Sequence, residues 1–291
     1  MIGTIETTLI YTVLLGSLYL LVAIGFSLIC GVLRIFHLGY AYIFVATIYL
    51  TWLFYHTLGL PLWLSILIMV VLQAVIAILI FKGIIVKYMK MEEKIITGLL
   101  LIAIIAEQVA NRWYPIQAAV NLPTTIIPGS MAIASTNIAY QLILSAGVGI
   151  LVTILFVLFF LFTKTGLAIR AISYDINSAK IMGIQVEQIY MLVMVMVLLP
   201  VIIAMLMIAP VWAVDPYMGW GYMTTAILIA VMGGLGNIRG TIIASYIIGF
   251  THAFASFVIA EPRLMNLLAI SVVIIMLMVR PQGIAKTESL W

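Results

Sequence analysis

Residues 163–188, TKTGLAIRAISYDINSAKIMGIQVEQ, are the longest stretch of this chain that a hydrocarbon layer would reject. They lie between two runs that it would accept, Tyr140 to Phe162 and Ile189 to Ala209. A membrane-crossing helix needs about 20 mostly apolar residues to cover roughly 30 Å of hydrocarbon, and both runs meet that requirement. The insert is therefore a connection between spans, and the fold it implies is an all-α integral membrane protein.

Working outward, nine candidate spans emerge: Leu9 to Leu33, Phe36 to His56, Leu60 to Phe81, Ile95 to Asn111, Tyr140 to Phe162, Ile189 to Ala209, Met223 to Leu235, Thr241 to Ala260 and Met265 to Val279. The seventh is short, and eight spans result if residues 31–42 re-enter, so the expectation is a polytopic bundle of about nine helices, within eight to ten. Of 291 residues, 66% are hydrophobic and 8% charged, against a charged fraction of about 25% in soluble domains. The runs are too continuous for the alternating strands of an outer-membrane barrel.

With the amino terminus outside, the cytoplasmic side receives Arg34, Lys82, Lys87, Lys90, Lys94, Lys164, Arg170, Lys180, Arg239, Arg280 and Lys286, leaving only Arg112 and Arg263 of the thirteen basic residues outside. That asymmetry follows the positive-inside rule and puts the carboxyl terminus in the cytoplasm. The net charge of +4 then describes a basic membrane face, with no need for a nucleic-acid partner. The loop KGIIVKYMKMEEK (82–94) reads as an orientation anchor. The start, MIGTIETT, lacks the basic n-region of a cleavable signal, so the first span is expected to be retained. The whole chain, 1–291, reads as one membrane domain with 163–188 as its cytoplasmic loop. Cys30, the single cysteine, has no partner for an internal disulfide.

On a helical wheel Ala168, Ile169, Ile172, Ile176, Ala179 and Gly183 share one arc of the insert, and Arg170, Ser173, Tyr174, Asn177 and Lys180 share the opposite one, with Ile181 the exception. Gly183 suits a helix stop. Such a short amphipathic helix either lies on the membrane or fits a groove on a partner protein.

Other chemistry is sparse. No G-x-x-x-x-G-K-[ST] nucleotide loop is present, and GGLGNIRGT (233–241) lacks the lysine. Its glycines Gly233, Gly234, Gly236 and Gly240 read as a tight hairpin with close backbone approach, with gating as the alternative. Three scattered histidines and one cysteine give no metal-ligand cluster, and no catalytic group is expected. Polar residues within spans usually face a bundle interior. The candidates for a solute path are His37, Tyr40, Tyr42, Gln73, Glu107 and His252, with packing between helices as the alternative for Gln73 and His252, and outward snorkelling at the interface or pairing with Arg112 for Glu107. Asp215 lies in an aromatic outer loop that fits an interfacial belt or a docking surface.

The run Gly166, Arg170, Ala171, Ala179, Gly183, Ile184 resembles the coupling loop of permease subunits of ATP-binding-cassette importers for branched-chain amino acids. Three more stretches are similar to that family in order: GSLYLLVAIGFSLICGVLRI (16–35), AVMGGLGNIRGTIIASYIIG (230–249) and RPQGI (280–284). The resemblance implies a permease in the prokaryotic cytoplasmic membrane, surrounded by lipid. It also implies a second, paralogous permease subunit, two cytoplasmic ATP-binding subunits that use ATP and magnesium, and an external solute-binding protein. This chain itself would hold no cofactor. Gly166, Arg170, Ala171, Ile172, Asp175, Ala179 and Gly183 are then the expected contacts to the ATPases. Where the family shows a polar stretch of the type Asn-Phe-Ala-His-Gly-Asp, this chain has His37, Leu38, Gly39, Tyr40, Ala41 and Tyr42, without the acid or the amide. The expected solutes are leucine, isoleucine and valine. Urea, short amides or another small polar solute form the alternative, and a secondary transporter or channel without ATPases the alternative class.

Overall fold

The computed structural model describes residues 2–113, 120–122, 125–133 and 136–285. Twelve α-helices follow one another: α1 (Ile2–Leu33), α2 (Ala41–Trp52), α3 (Leu62–Ile80), α4 (Glu92–Trp113), α5 (Tyr140–Phe162), α6 (Lys164–Tyr174), α7 (Ile176–Ile181), α8 (Val186–Met196), α9 (Leu198–Ile208), α10 (Met218–Gly233), α11 (Ile238–Phe257) and α12 (Met265–Val279). A 3-10 turn, Leu38–Tyr40, leads into α2, and π turns extend α2 and α3. Helix is the one local solution here for runs this apolar, because hydrocarbon offers no partner for a free backbone N–H or C=O.

Each expected span coincides with a helix or, for the sixth, with the pair α8 and α9. Pro200, in the first turn of α9, has no N–H to continue the ladder, which accounts for the interruption at Val197. Among the described residues seven segments are long and apolar enough to cross a membrane. The other two expected spans are α10, only 16 residues long, and α4, whose length is interrupted by Glu107 and flanked by Glu92, Glu93 and Arg112.

The centre of the bundle is α1. Its most apolar window is 89% buried, against 11% for the segment ending in α12, so α1 is the axis and α12 faces outward. Glycine allows a close contact with α11: a Cβ on Gly249 would sit 2.7 Å from the Gly16 nitrogen and 3.0 Å from the Thr12 oxygen of α1. Backbones approach this closely only where side chains are absent.

Loops expected on one side of the membrane meet at one end of the bundle. Thr7, near the start of α1, bonds Thr136 at 2.6 Å, Gln141 donates to the Met207 oxygen at 3.2 Å, and Val120 pairs with Val214. At the other end, Arg34 reaches α6 and the carboxyl segment lies on the glycine hairpin, where Ile284 donates to the Met232 oxygen at 2.9 Å.

Two expectations need correction. The fold is not purely helical: β1 (Ser130–Ile133) and β2 (Thr136–Ala139) form an antiparallel hairpin ahead of α5. The insert 163–188 is not one amphipathic helix either, because at Asp175 the backbone is extended (φ −149°, ψ 112°) and divides it into α6 and α7.

Candidate functional site

A cavity of about 340 Å³ opens near the end of the bundle that holds Asp215. Tyr19 of α1, Tyr222 and Thr225 of α10, His252 of α11 and Asn266 of α12 line it together with Asp215, and Met218 and Met265 supply apolar wall. Four helices thus converge on one volume. His252 is 3% exposed; its Nδ1 lies 2.8 Å from the Tyr19 hydroxyl, which packs edge-on to the imidazole, while its Nε2 has no partner. A buried ring nitrogen left unpaired beside a cavity can hydrogen-bond a polar solute. Tyr222 stacks on Phe44 of α2 at 5.6 Å, which fixes that wall.

Of the residues expected on a solute path, only His252 lines this cavity. His37, 1% exposed with both ring nitrogens unpartnered, lies at the turn between α1 and α2. Tyr40 is fully buried and donates to the Val22 oxygen at 2.9 Å, and Tyr42 is buried nearby in sequence. Gln73 ties α3 to α2 by donating to Thr47 at 2.9 Å. Glu107 accepts from the Trp220 indole and, at 3.1 Å, from Gln108, which ties α4 to α10. Sequence reasoning missed Tyr19, Tyr222, Thr225 and Asn266. Their signal is a polar atom on an otherwise apolar span, a signal shared by many hydroxyl and amide residues of this chain that line no cavity, so it does not single these four out.

The segment 163–188 shows a surface built by its caps. Thr163 caps α6 by accepting from the Gly166 N–H at 3.0 Å, and Gly166 lies so close to the end of α5 that a Cβ would fall 2.6 Å from the Phe159 oxygen. Asp175 caps α7, accepting from the Ser178 hydroxyl and from the Asn177 N–H at 2.9 Å. These donors, the Ser178 hydroxyl first, hold its carboxyl below the usual carboxylate range. At the far end Gly183, at φ +82°, donates to the Lys180 oxygen and Ile184 to the Ala179 oxygen, both at 3.0 Å, closing α7 in a Schellman motif.

The apolar arc expected to face a partner is turned inward. Ile169, Ile172 and Ala179 are at most 1% exposed, buried against their own chain. What faces out beside Arg170 and Lys180 is a different set: Tyr174 (77% exposed), Ile181 (87%) and Met182 (68%). Ala171 is half-buried. Arg34, at the end of α1, donates from Nη2 to the Ser173 oxygen at 3.0 Å and the Tyr174 oxygen at 3.4 Å.

The glycine hairpin between α10 and α11 is a close backbone crossing. A Cβ on Gly233 would fall 2.6 Å from the Thr241 nitrogen, and one on Gly240 would overlap the Gly233 carbonyl. Gly234 and Gly236 have φ of +94° and +79°, and Asn237 caps α11 through the Gly240 N–H at 3.0 Å. Among the described residues no group of three or more His, Cys, Asp and Glu side chains could hold a metal ion.

The family described as branched-chain amino acid transport system permease component matches residues 8–278. The high-affinity branched-chain amino acid transport system permease protein BraD of Pseudomonas aeruginosa is 28% identical over 164 residues, 56% of this chain and 53% of that protein. LivH of Escherichia coli K12, a permease protein with the same description, is 27% identical over 128 residues, 44% of this chain and 41% of that one. The matched stretch thus spans about half the length of these relatives. In structure, PsaBC from Streptococcus pneumoniae in complex with Fab is similar over 96% of this chain and 92% of that one, with a TM-score of 0.52 and 19% identity, a likeness of fold alone.

Proposed function

Because this chain belongs to the branched-chain amino acid transport system permease family, whose pattern runs through residues 8–278, we propose that it is the membrane subunit of an ATP-driven importer for leucine, isoleucine and valine. In this reading it sits in the prokaryotic cytoplasmic membrane with a paralogous permease, two ATP-binding subunits that consume ATP and magnesium, and an external solute-binding protein. Nine spans put the amino terminus and the cavity at Asp215 outside, and put α6, α7 and the carboxyl segment in the cytoplasm.

The observation that carries the reading is the exposed Tyr174, Ile181 and Met182 on the rigidly capped α6–α7 segment. Apolar side chains at a water-facing end of a membrane bundle favour burial against another protein. The mostly apolar cavity with a few polar groups supports the solute assignment, since a branched-chain amino acid brings charged or hydrogen-bonding ends together with an apolar side chain, matching His252 and Tyr19 beside Met218 and Met265.

Reconstitution tests it. The permease pair, its ATPases and the cognate binding protein in liposomes should accumulate leucine, isoleucine or valine only when ATP is enclosed with the ATPases. ATP-dependent accumulation of urea or a sugar with no response to leucine sinks the solute assignment and keeps the importer. Accumulation without ATPases sinks the importer.

A further inference from the structure

We propose that Arg34 is a positioning residue that transmits displacement of the α6–α7 segment to the turn between α1 and α2; the inference rests on the importer reading above. Arg34 is the first residue beyond α1, and its φ of +54° lies in the left-handed region, which a long side chain adopts at a cost. Something must compensate. Its guanidinium donates to the Ser173 and Tyr174 oxygens, carbonyls of the last turn of α6 that helix geometry leaves without intrahelical partners. A cation at that terminus also meets the negative end of the helix dipole. The contact lies directly before the break at Asp175, so a push on α7 or on the end of α6 reaches this guanidinium directly.

Beyond Arg34 the chain has little slack. Gly39 is pinned against α4, where a Cβ would meet the Leu99 oxygen at 3.1 Å, and Tyr40 is bonded back to Val22 on α1. Tyr40 meets Phe44 at 5.4 Å, and Phe44 stacks on Tyr222, a wall of the cavity. Between these fixed points His37 is buried with both ring nitrogens unpartnered, which disfavours the present arrangement of the turn relative to one that satisfies them. A strained residue and an unsatisfied one, three positions apart, lower the cost of moving this turn to a second position, and Arg34 is the side chain that ties it to α6.

Spatial continuity alone is not coupling, so the test reads coupling directly. Arg34→Asn and Arg34→Lys permeases are assembled with their ATPases and binding protein in liposomes, and solute accumulated per ATP hydrolysed is measured beside co-purification. Asn tolerates the left-handed backbone but cannot reach α6, whereas Lys keeps a donor and the charge without the planar guanidinium that aims Nη2 at both oxygens. Arg34→Asn should assemble and hydrolyse ATP while solute per ATP falls about fivefold or more, the lower range of coupling factors. Arg34→Lys should recover part of the loss. A merely structural role lowers assembly, hydrolysis and uptake together and leaves the ratio unchanged in both variants, and that result overturns the proposal. If Arg34→Asn does not assemble, the ratio in Arg34→Lys decides in the same way. Absence of ATP-dependent uptake in the unmodified complex refutes the importer reading itself, so the two failures are distinct.

Discussion

The indole N–H of Trp220 on α10 donates to the carboxylate of Glu107 on α4. Both oxygens of that carboxylate are engaged, the other by Gln108 at 3.1 Å, so the acid serves to join two helices and does not line the cavity. Glu107→Gln keeps an acceptor for Trp220 and should leave uptake close to normal. Glu107→Ala leaves the indole N–H unpaired and should lower stability by about 1–3 kcal/mol, read as earlier thermal unfolding in detergent. Loss of uptake in Glu107→Gln with unfolding unchanged would return Glu107 to the solute path.

The two faces of α7 make opposite demands. Ala179 is fully buried, so Ala179→Glu forces a carboxylate into an apolar contact and should prevent correct folding of the segment. Ile181 is 87% exposed, so Ile181→Glu should leave the isolated permease intact and weaken retention of the ATPase subunits. Thermal unfolding of the permease and co-purification separate the outcomes. Full retention in Ile181→Glu, Tyr174→Glu and Met182→Glu alike would remove this surface as the docking face.

What could be read in the sequence was set by range. Span lengths follow from local composition, and the Gly183 stop follows from one residue's backbone freedom, so both were legible. The break at Asp175 is also local: Asp175 followed three residues later by Ser178 is an N-cap pattern, but a helical wheel drawn straight through 168–183 hides it. The inward turn of Ile172 and Ala179 was not legible, because a wheel identifies an apolar arc without saying whether the arc meets the protein's own chain or another. The cavity was less legible still. Tyr19 and His252 are 233 positions apart, and nothing in either neighbourhood announces the other. The β1–β2 hairpin is a surface feature of a polar connection, where no hydrophobic period exists to read.

The Asp175 cap makes the segment sensitive to acid. The folded pKa lies below the unfolded value of about 3.9. The stabilisation is therefore complete above the unfolded value and is lost as pH falls through the folded one. Protection of the Ile176–Ile181 amides, corrected for intrinsic exchange, should decline on acidification to about pH 3 and stay level at neutral pH. Asp175→Asn retains a capping oxygen without a titrating group and should show no such decline. Equal pH dependence in the two proteins would show that another group governs the segment.

The Tyr19–His252 pair at 2.8 Å sets the hydrogen-bonding state of Nε2, the unpartnered nitrogen of a residue that lines the cavity. When the Tyr19 hydroxyl donates to Nδ1, the ring proton lies on Nε2, which then offers a donor to a carboxylate or carbonyl; the reverse tautomer offers an acceptor. Tyr19→Phe preserves the ring packing and frees Nδ1, so both tautomers become accessible and the cavity loses its fixed polarity. Uptake should slow with assembly and thermal unfolding nearly unchanged, since about 1 kcal/mol is the usual net worth of one hydrogen bond. His252→Gln should slow it at least as much, because the amide cannot keep both the Tyr19 contact and the unpartnered Nε2 position. The measurement is initial uptake rate against external concentration of solute-loaded binding protein, and the expected change lies in the maximal rate, as a contact made to released solute requires. A change confined to the half-saturating concentration of loaded binding protein would instead make this pair part of the docking surface.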